Sequence, residues 1–262
     1  MVSAEPLREP PAVTVVSGGR LTGVRAEQIE RAVQRLLSRR EVTGGARVRV
    51  KTGRCGRGPM VVQVNFRVGE QPARVVAVTG GVDDLAPALA RLDRQLARMC
   101  APWRPRVSPD RTREPMTVPC DAVLTRRKSV VLQRLTPLQA AQVMDAMDYD
   151  AHVFADADTG EDALVYRAGP SRLRLTRQYH VCPPGWAPSS ANSDSPVPLI
   201  MNPVVPPVLT EGEALRRVRD YGLQRLFFTD EITGRGNLLY PRHDGNLGLI
   251  SPSPAGYSNS NG

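Results

Sequence analysis

The sequence predicts an α+β fold: an N-terminal β-α-β-β-β-α sheet with two helices on one face, then two small β-α-β-β repeats. Three observations predict it. Short alternating apolar runs are separated by glycine-containing turns, and two helical-period stretches flank them. The third is a recurrence: "DADTGEDALVY", which starts at Asp156, returns as "DEITGRGNLLY", which starts at Asp230.

The first strand is "AVTVVSG", and "VRAEQIERAVQRLLSRR" then places Ile29, Val33, Leu36 and Leu37 at helical spacing. "ARVRVKTG", "MVVQVNFRVG" and "ARVVAVTG" follow as three strands of an antiparallel meander. "DDLAPALARLDRQLARM" closes the unit as a helix, with Asp83 or Asp84 expected at its N-cap and Leu85, Leu89, Leu92 and Leu96 on one stripe. Pro87 falls in its first turn, where a missing N–H does no harm.

Composition divides the rest. Residues 101–126 are Pro- and Arg-rich without periodicity and read as a linker. The first repeat, 127–177, takes "SVVLQRL" as a strand and "TPLQAAQVMDAM" as a helix capped by Thr136 with Pro137 at its first position. Its hairpin turns at Thr159 and Gly160, and "SRLRLTR" is a last strand. A second linker spans 178–205, and the second repeat spans 206–252. At a constant offset of 74, Leu135, Thr136, Ala140, Phe154, Asp156, Thr159, Gly160, Leu164 and Tyr166 find identical residues, so the matches fall on cap, turn and strand positions. Residues 1–11 and 253–262 are expected to be disordered.

One repeat of about 50 residues holds a core too small to be stable alone without disulfides, a metal or a partner. Strand parity suggests an apolar face of Phe154, Leu164 and Tyr166 in the first copy and of Phe228, Leu238 and Tyr240 in the second. Those faces are expected to pair as a pseudo-dimer within one chain, with a homodimer by exchange of copies as the other arrangement.

Charge separates the domains. Residues 12–100 carry sixteen Arg and Lys against seven Asp and Glu, a surplus equal to the +9 of the whole protein. The first domain is therefore the candidate for a polyanionic partner. Arg31, Arg35 and Arg39 form one row on the first helix, continued by Arg40, and Arg91, Arg94 and Arg98 form another opposite the leucines of the second. Lys51, Arg54 and Arg57 in "KTGRCGRGPM" are further phosphate candidates, although the loop lacks the ending of a P-loop.

Other chemistry is poorly supported. No run of about 18 apolar residues predicts a membrane helix, and no basic start followed by an apolar stretch marks an export signal. The four cysteines are scattered and only three histidines occur, so no metal site, no cofactor and a reducing cytosol are expected. His180, two residues before Cys182 in a Pro-rich linker, is a weak dyad. No enzyme and no small-molecule substrate is expected. "DADTGED" lacks the terminal Glu of a calcium loop, so Asp156 and Asp230 are expected to bond turn amides.

The N-terminal element order with "ALARLDRQLARM", the segment "TPLQAAQVMDAMDYDAHVFADADTGEDALVYR" and above all "FFTDEITGRGNLLYPRHDGNLGLISP" resemble the long form of the ribosome hibernation-promoting factors, the ribosomal subunit interface proteins. The resemblance implies a cytoplasmic protein whose first domain binds small-subunit rRNA across the decoding region. It also implies a C-terminal domain that pairs. Two such copies in one chain resemble the stress- and dormancy-associated members from actinobacteria, with silencing of ribosomes expected without joining them in pairs. A dimeric protein-interaction adaptor with a weak RNA-binding domain is the alternative.

Overall fold

The structure is a computed structural model that describes residues 11–17, 21–52, 60–81, 84–106, 116, 118–168, 172–180 and 199–253. The expected disordered ends fall almost wholly outside these residues. Two compact units divide the chain: Met1–Arg104 with Asp145–Tyr149, and Pro105–Met144 with Asp150–Gly262.

In the first unit the chain runs β1 (Val13–Ser17), α1 (Gly23–Arg39), β2 (Ala46–Thr52), β3 (Met60–Val68), β4 (Gln71–Thr79) and α2 (Ala86–Met99). The sheet order is β1-β2-β3-β4, with β1 parallel to β2 and the others antiparallel. Strict alternation decides which face is covered. Val48, Val50, Val62, Val64, Phe66, Val75 and Ala77 point one way and share a single buried core with Ile29, Val33 and Leu37 of α1 and Leu92 and Leu96 of α2. Arg47, Arg49 and Lys51 point the other way and are exposed.

Two helix ends depart from simple expectation. α2 starts at Ala86 after Leu85, which offers no side-chain cap; Asp84 instead accepts from the Gly80 amide at 3.4 Å, and Asp83 lies outside the described residues. α1 ends in paired bonds from Val42 N to Leu37 O and from Glu41 N to Ser38 O, a Schellman motif with Glu41 at φ 54°. That position favours glycine, since the glutamate Cβ crowds its own backbone there.

The second unit contains β5 (Leu124–Val130), β6 (Arg134–Leu135), α3 (Pro137–Ala146), β7 (Ala151–Asp156), β8 (Asp162–Ala168) and β9 (Arg172–Arg177). It continues with β10 (Leu199–Met201), β11 (Val208–Leu209), α4 (Glu211–Asp220), β12 (Leu226–Asp230), β13 (Gly236–Pro241) and β14 (Leu247–Pro252). The last two residues of α3 belong to the first unit. Both helices begin with the same device. Thr136 and Gln139 bond reciprocally, and Thr210 and Glu213 close a full capping box 74 residues on. Bonds from the Thr210 amide and hydroxyl hold the Glu213 carboxyl below its ordinary range. In the hairpins, Asp156 accepts from the Asp158 amide and Asp230 from that of Thr233, while Gly160 and Gly234 supply the positive φ of the turn.

The sheets are not those of two separate repeats. One has the order β10-β9-β8-β7-β6 and the other β11-β12-β13-β14-β5. β10, from the segment before the second copy, pairs with β9 of the first; β5, which straddles the start of the first copy, pairs with β14 of the second. The register repeats as well: Ile200 lies opposite Arg174, and Arg126 lies opposite Gly248, each residue 74 from its counterpart. Two sequence expectations are corrected here. "SVVLQRL" is not one strand of the first copy, because its beginning completes β5 in the other sheet and only Arg134–Leu135 stays. Residues 124–126 and 199–201, read as linker, are paired strands.

The two sheets face each other across a buried layer in which Leu132, Val153, Ala155 and Leu164 meet Phe227 and Leu238. Tyr166 packs at its margin. Phe154 and Phe228 do not belong to this layer. Phe154 lies opposite Ala163, so Val153, not Phe154, shares a face with Leu164; likewise Phe227, not Phe228, lies opposite Leu238. Phe228 packs against Ala214 and Val218 of α4 instead. Tyr240 shares strand parity with Leu238, and its ring closes over Gly248 on the neighbouring strand.

Glu41→Gly is expected to raise stability by about 0.5–1 kcal/mol by relieving the left-handed position, read as a higher urea midpoint. Burial pushes the His152 imidazole on β7 down to about 4 from 6.5. Between those values the unfolded chain holds the extra proton, so stability falls as pH drops from about 6.5 towards 4, by on the order of 3 kcal/mol in full. His152→Gln should flatten that part of a urea-midpoint profile against pH.

Candidate nucleic-acid interface

Helical spacing places Arg31, Arg35 and Arg39 on the side of α1 opposite Ile29, Val33 and Leu37, and all three arginines are exposed. Arg31 shares its charge with Glu27 at 2.8 Å, one turn back, where both side chains are mostly in water. Such a pair is worth little, so Arg31 can exchange Glu27 for a phosphate at small cost. Arg35 Nε donates to the Arg31 carbonyl at 3.3 Å. Arg40 reaches across to α2 and bonds Asp93 with Nε and Nη2 at 3.2 and 3.0 Å, which joins the two helices and uses its charge.

On α2 the expected row breaks up. Arg94 is exposed, but Arg91 is 5% exposed and lies on the covered side with Ala88, Leu92 and Gln95. Its Nε and Nη2 bond the Asp148 carboxylate at 2.9–3.2 Å, and that carboxylate also accepts from the Val76 amide of β4 at 3.1 Å. The segment Asp145–Tyr149 covers this side: Gln95 donates to the Asp145 and Ala146 carbonyls, and Trp103 to the Asp145 carboxylate. Arg91 is therefore withdrawn as a solvent-facing phosphate contact, since the residues that bury it lie 50 or more positions away. Arg98 donates to Gln95 Oε1 at 2.6 Å.

Lys51 is exposed on β2, whereas Arg54 and Arg57 lie outside the described residues. The structure adds two residues to Lys51. Arg47 and Arg49 alternate with Ala46, Val48 and Val50, so Arg47, Arg49 and Lys51 stand in line on the sheet face away from the helices. Their cross-strand neighbours include Gln63 and Asn65, which bond each other at 3.0 Å. The signal was present in "ARVRVKTG", where every second residue is cationic. The first unit thus carries two cationic surfaces, one on its helices and one on its open sheet. Guanidinium groups grip phosphate bidentately, and rows of them match a folded RNA backbone by shape.

Among the described residues, Glu161, His180, Asp156 and Arg177 are engaged structurally. Glu161, buried, receives the Tyr179 and His180 amides and lies 2.9 Å from His180 Nδ1, while Cys182 lies outside the described residues. The Asp156 carboxylate takes Arg177 at 2.7 Å, both side chains buried. Among the described residues no group of three or more His, Cys, Asp or Glu is placed to hold a metal, and no helix is long and apolar enough to cross a membrane.

Residues 121–175 match the family model described as Sigma 54 modulation/S30EA ribosomal protein C terminus. The matched stretch runs from just before β5 through nearly all of β9, so it includes the strand given to the other sheet. The chain is also 59% identical over 249 residues to the "Dormancy associated translation inhibitor" of Mycobacterium tuberculosis, in strains CDC 1551 / Oshkosh and ATCC 25618 / H37Rv. That match covers 95% of this chain and 91% of each relative.

Arg91→Ala is expected to destabilise the first unit by about 3–5 kcal/mol, because it strands the buried Asp148 carboxylate. Arg94→Ala should stay within about 0.5 kcal/mol of the parent. Urea unfolding of the two variants separates the buried arginine from the surface one.

Proposed function

The chain belongs to the ribosome hibernation-promoting factor family, and from that membership we propose that it inhibits translation by binding ribosomes and holding them inactive under stress. The observation that carries the reading is likeness over nearly the full chain to a relative named as a dormancy-associated translation inhibitor. The family consists of non-enzymatic factors, so what this chain contributes is binding energy and occupied space.

The first unit is the ribosome-binding part. Its partner is small-subunit rRNA at the decoding region, where the bound protein excludes messenger and transfer RNA. Supporting this, Arg31, Arg35, Arg39 and Arg94 are exposed on the helices and Arg47, Arg49 and Lys51 on the sheet. Such contacts read backbone shape and are independent of base sequence. The protein acts in the cytoplasm, where the ribosomes are.

The second unit leaves ribosomes unpaired. Each copy lends the other a strand and a half of the buried layer, so the surfaces a single-copy chain would offer to another chain are already used. The expected result on a sucrose gradient is cosedimentation with single ribosomes and no ribosome-dimer peak. With about six phosphate contacts, log affinity should fall against log salt with a slope of roughly −4 to −5. Replacing Arg31, Arg35 and Arg39 by Gln should reduce that slope by about 2. A dimer peak would overturn self-pairing, and no cosedimentation at low salt would overturn ribosome binding.

A further inference from the structure

The offset of 74 that relates the copies equates Glu161-Asp162 with Arg235-Gly236. These equivalent dipeptides meet. The Asp162 carboxylate, 1% exposed, accepts from Arg235 Nε at 2.8 Å, from Arg235 Nη2 at 3.0 Å and from the Gly236 amide at 2.8 Å. Contacts that interconvert when the copies are exchanged, as the β5–β14 and β10–β9 pairings do, mark a local two-fold relation. Residues 162 and 236 touch each other, so they lie at that axis.

A position on a two-fold axis meets its own equivalent, and the two copies have solved this crowding in opposite ways. A Cβ placed on Gly236 would stand 2.8 Å from Asp162 Cβ across the axis and 2.7 Å from the Phe227 ring of its own copy, closer than carbon atoms approach. Only one of the two sites can carry a side chain. Charge adds to shape: two first copies would bring Glu161 and Asp162 from both sides, with no guanidinium among them. Two second copies would have room but would set Arg235 beside Arg235, with no carboxylate to accept from either. Burial makes the acidic mismatch costly, since the Asp162 side chain is 1% exposed, whereas Arg235, 31% exposed, would lose its carboxylate partner and meet a like charge.

We propose that Asp162, Arg235 and Gly236 are the partner-choice determinant of the second unit, with Glu161 adding charge beside them: a first copy accepts only a second copy, and neither accepts its own kind. The neighbouring bonds follow the same asymmetry. Gln178, directly after the last residue of the first copy, donates to Thr229 Oγ1 and Gly234 O of the second, and its counterpart 74 residues on is Pro252, which has no such group. The inference rests on the reading that the copies take each other as partners, and it states what enforces that choice.

Two variants of the full chain test it. Arg235→Glu with Gly236→Asp gives both copies the acidic dipeptide; Glu161→Arg with Asp162→Gly gives both the basic one. Each alone should lose amide protection in β5 and β10 by about tenfold or more in hydrogen exchange. Mixed in equal amounts, they should form a two-chain particle, because the intact first copy of one meets the intact second copy of the other. Either variant keeping parent-level protection, or a mixture that stays at single-chain mass in light scattering, overturns the proposal. The mass of the parent chain is a separate check: two chains there would overturn pairing within one chain, while the variants would still decide partner choice.

Discussion

The constraint on which the second unit depends is that neither copy owns all five strands of its sheet. β9 is completed by a strand from the segment before the second copy and β14 by one that straddles the start of the first. Each donated strand satisfies backbone groups that the receiving strand would otherwise expose at an edge. The apolar layer between the sheets follows from this, since strands that cross over bring the two faces together and Val153, Leu164, Phe227 and Leu238 lose their water. A small repeat that lacks core for independent stability thereby shares one with its twin.

The first unit obeys a different logic, in which alternation separates function from stability. On β2 each valine goes to the core and each cation to water, so the same seven residues hold the sheet and present charge. On α2 the sorting is less clean. Arg91 is kept for Asp148 and the β4 edge, while Arg94, three residues on, remains free for solvent. Identical side chains at neighbouring helical positions thus have opposite roles, decided by which carboxylate lies within reach.

Much of the fold was legible because it is written locally. The threonine caps, the Gly160 and Gly234 turns, the helix stripes and the offset of 74 all depend on residues a few positions apart. What was not legible is non-local. No periodicity says to which sheet an edge strand will add, so β10 and the first three residues of β5 lie in segments that read as linker. Parity within a strand does not carry across a hairpin, which is why Phe154 was grouped with Leu164 when its partner is Ala163. The helix rows gave the direction of Arg31, Arg35 and Arg39 but could not reveal that Asp145–Tyr149 would cover Arg91. Arg47 and Arg49, by contrast, are readable from the alternation of "ARVRVKTG" alone.

Reciprocal strand exchange also sets an order of events while the chain is being made. β5 emerges early, yet the strand it pairs with ends at Pro252. At typical elongation rates the roughly 120 intervening residues take on the order of ten seconds, during which β5 is an unpaired edge. Its sequence, "LTRRKSV", sets Arg126, Arg127 and Lys128 side by side, and clustered positive charge is a means of keeping a waiting strand from pairing with its own kind in a neighbouring nascent chain. Such charge disfavours self-pairing of an edge left waiting, and a chain released early would keep that edge open for good.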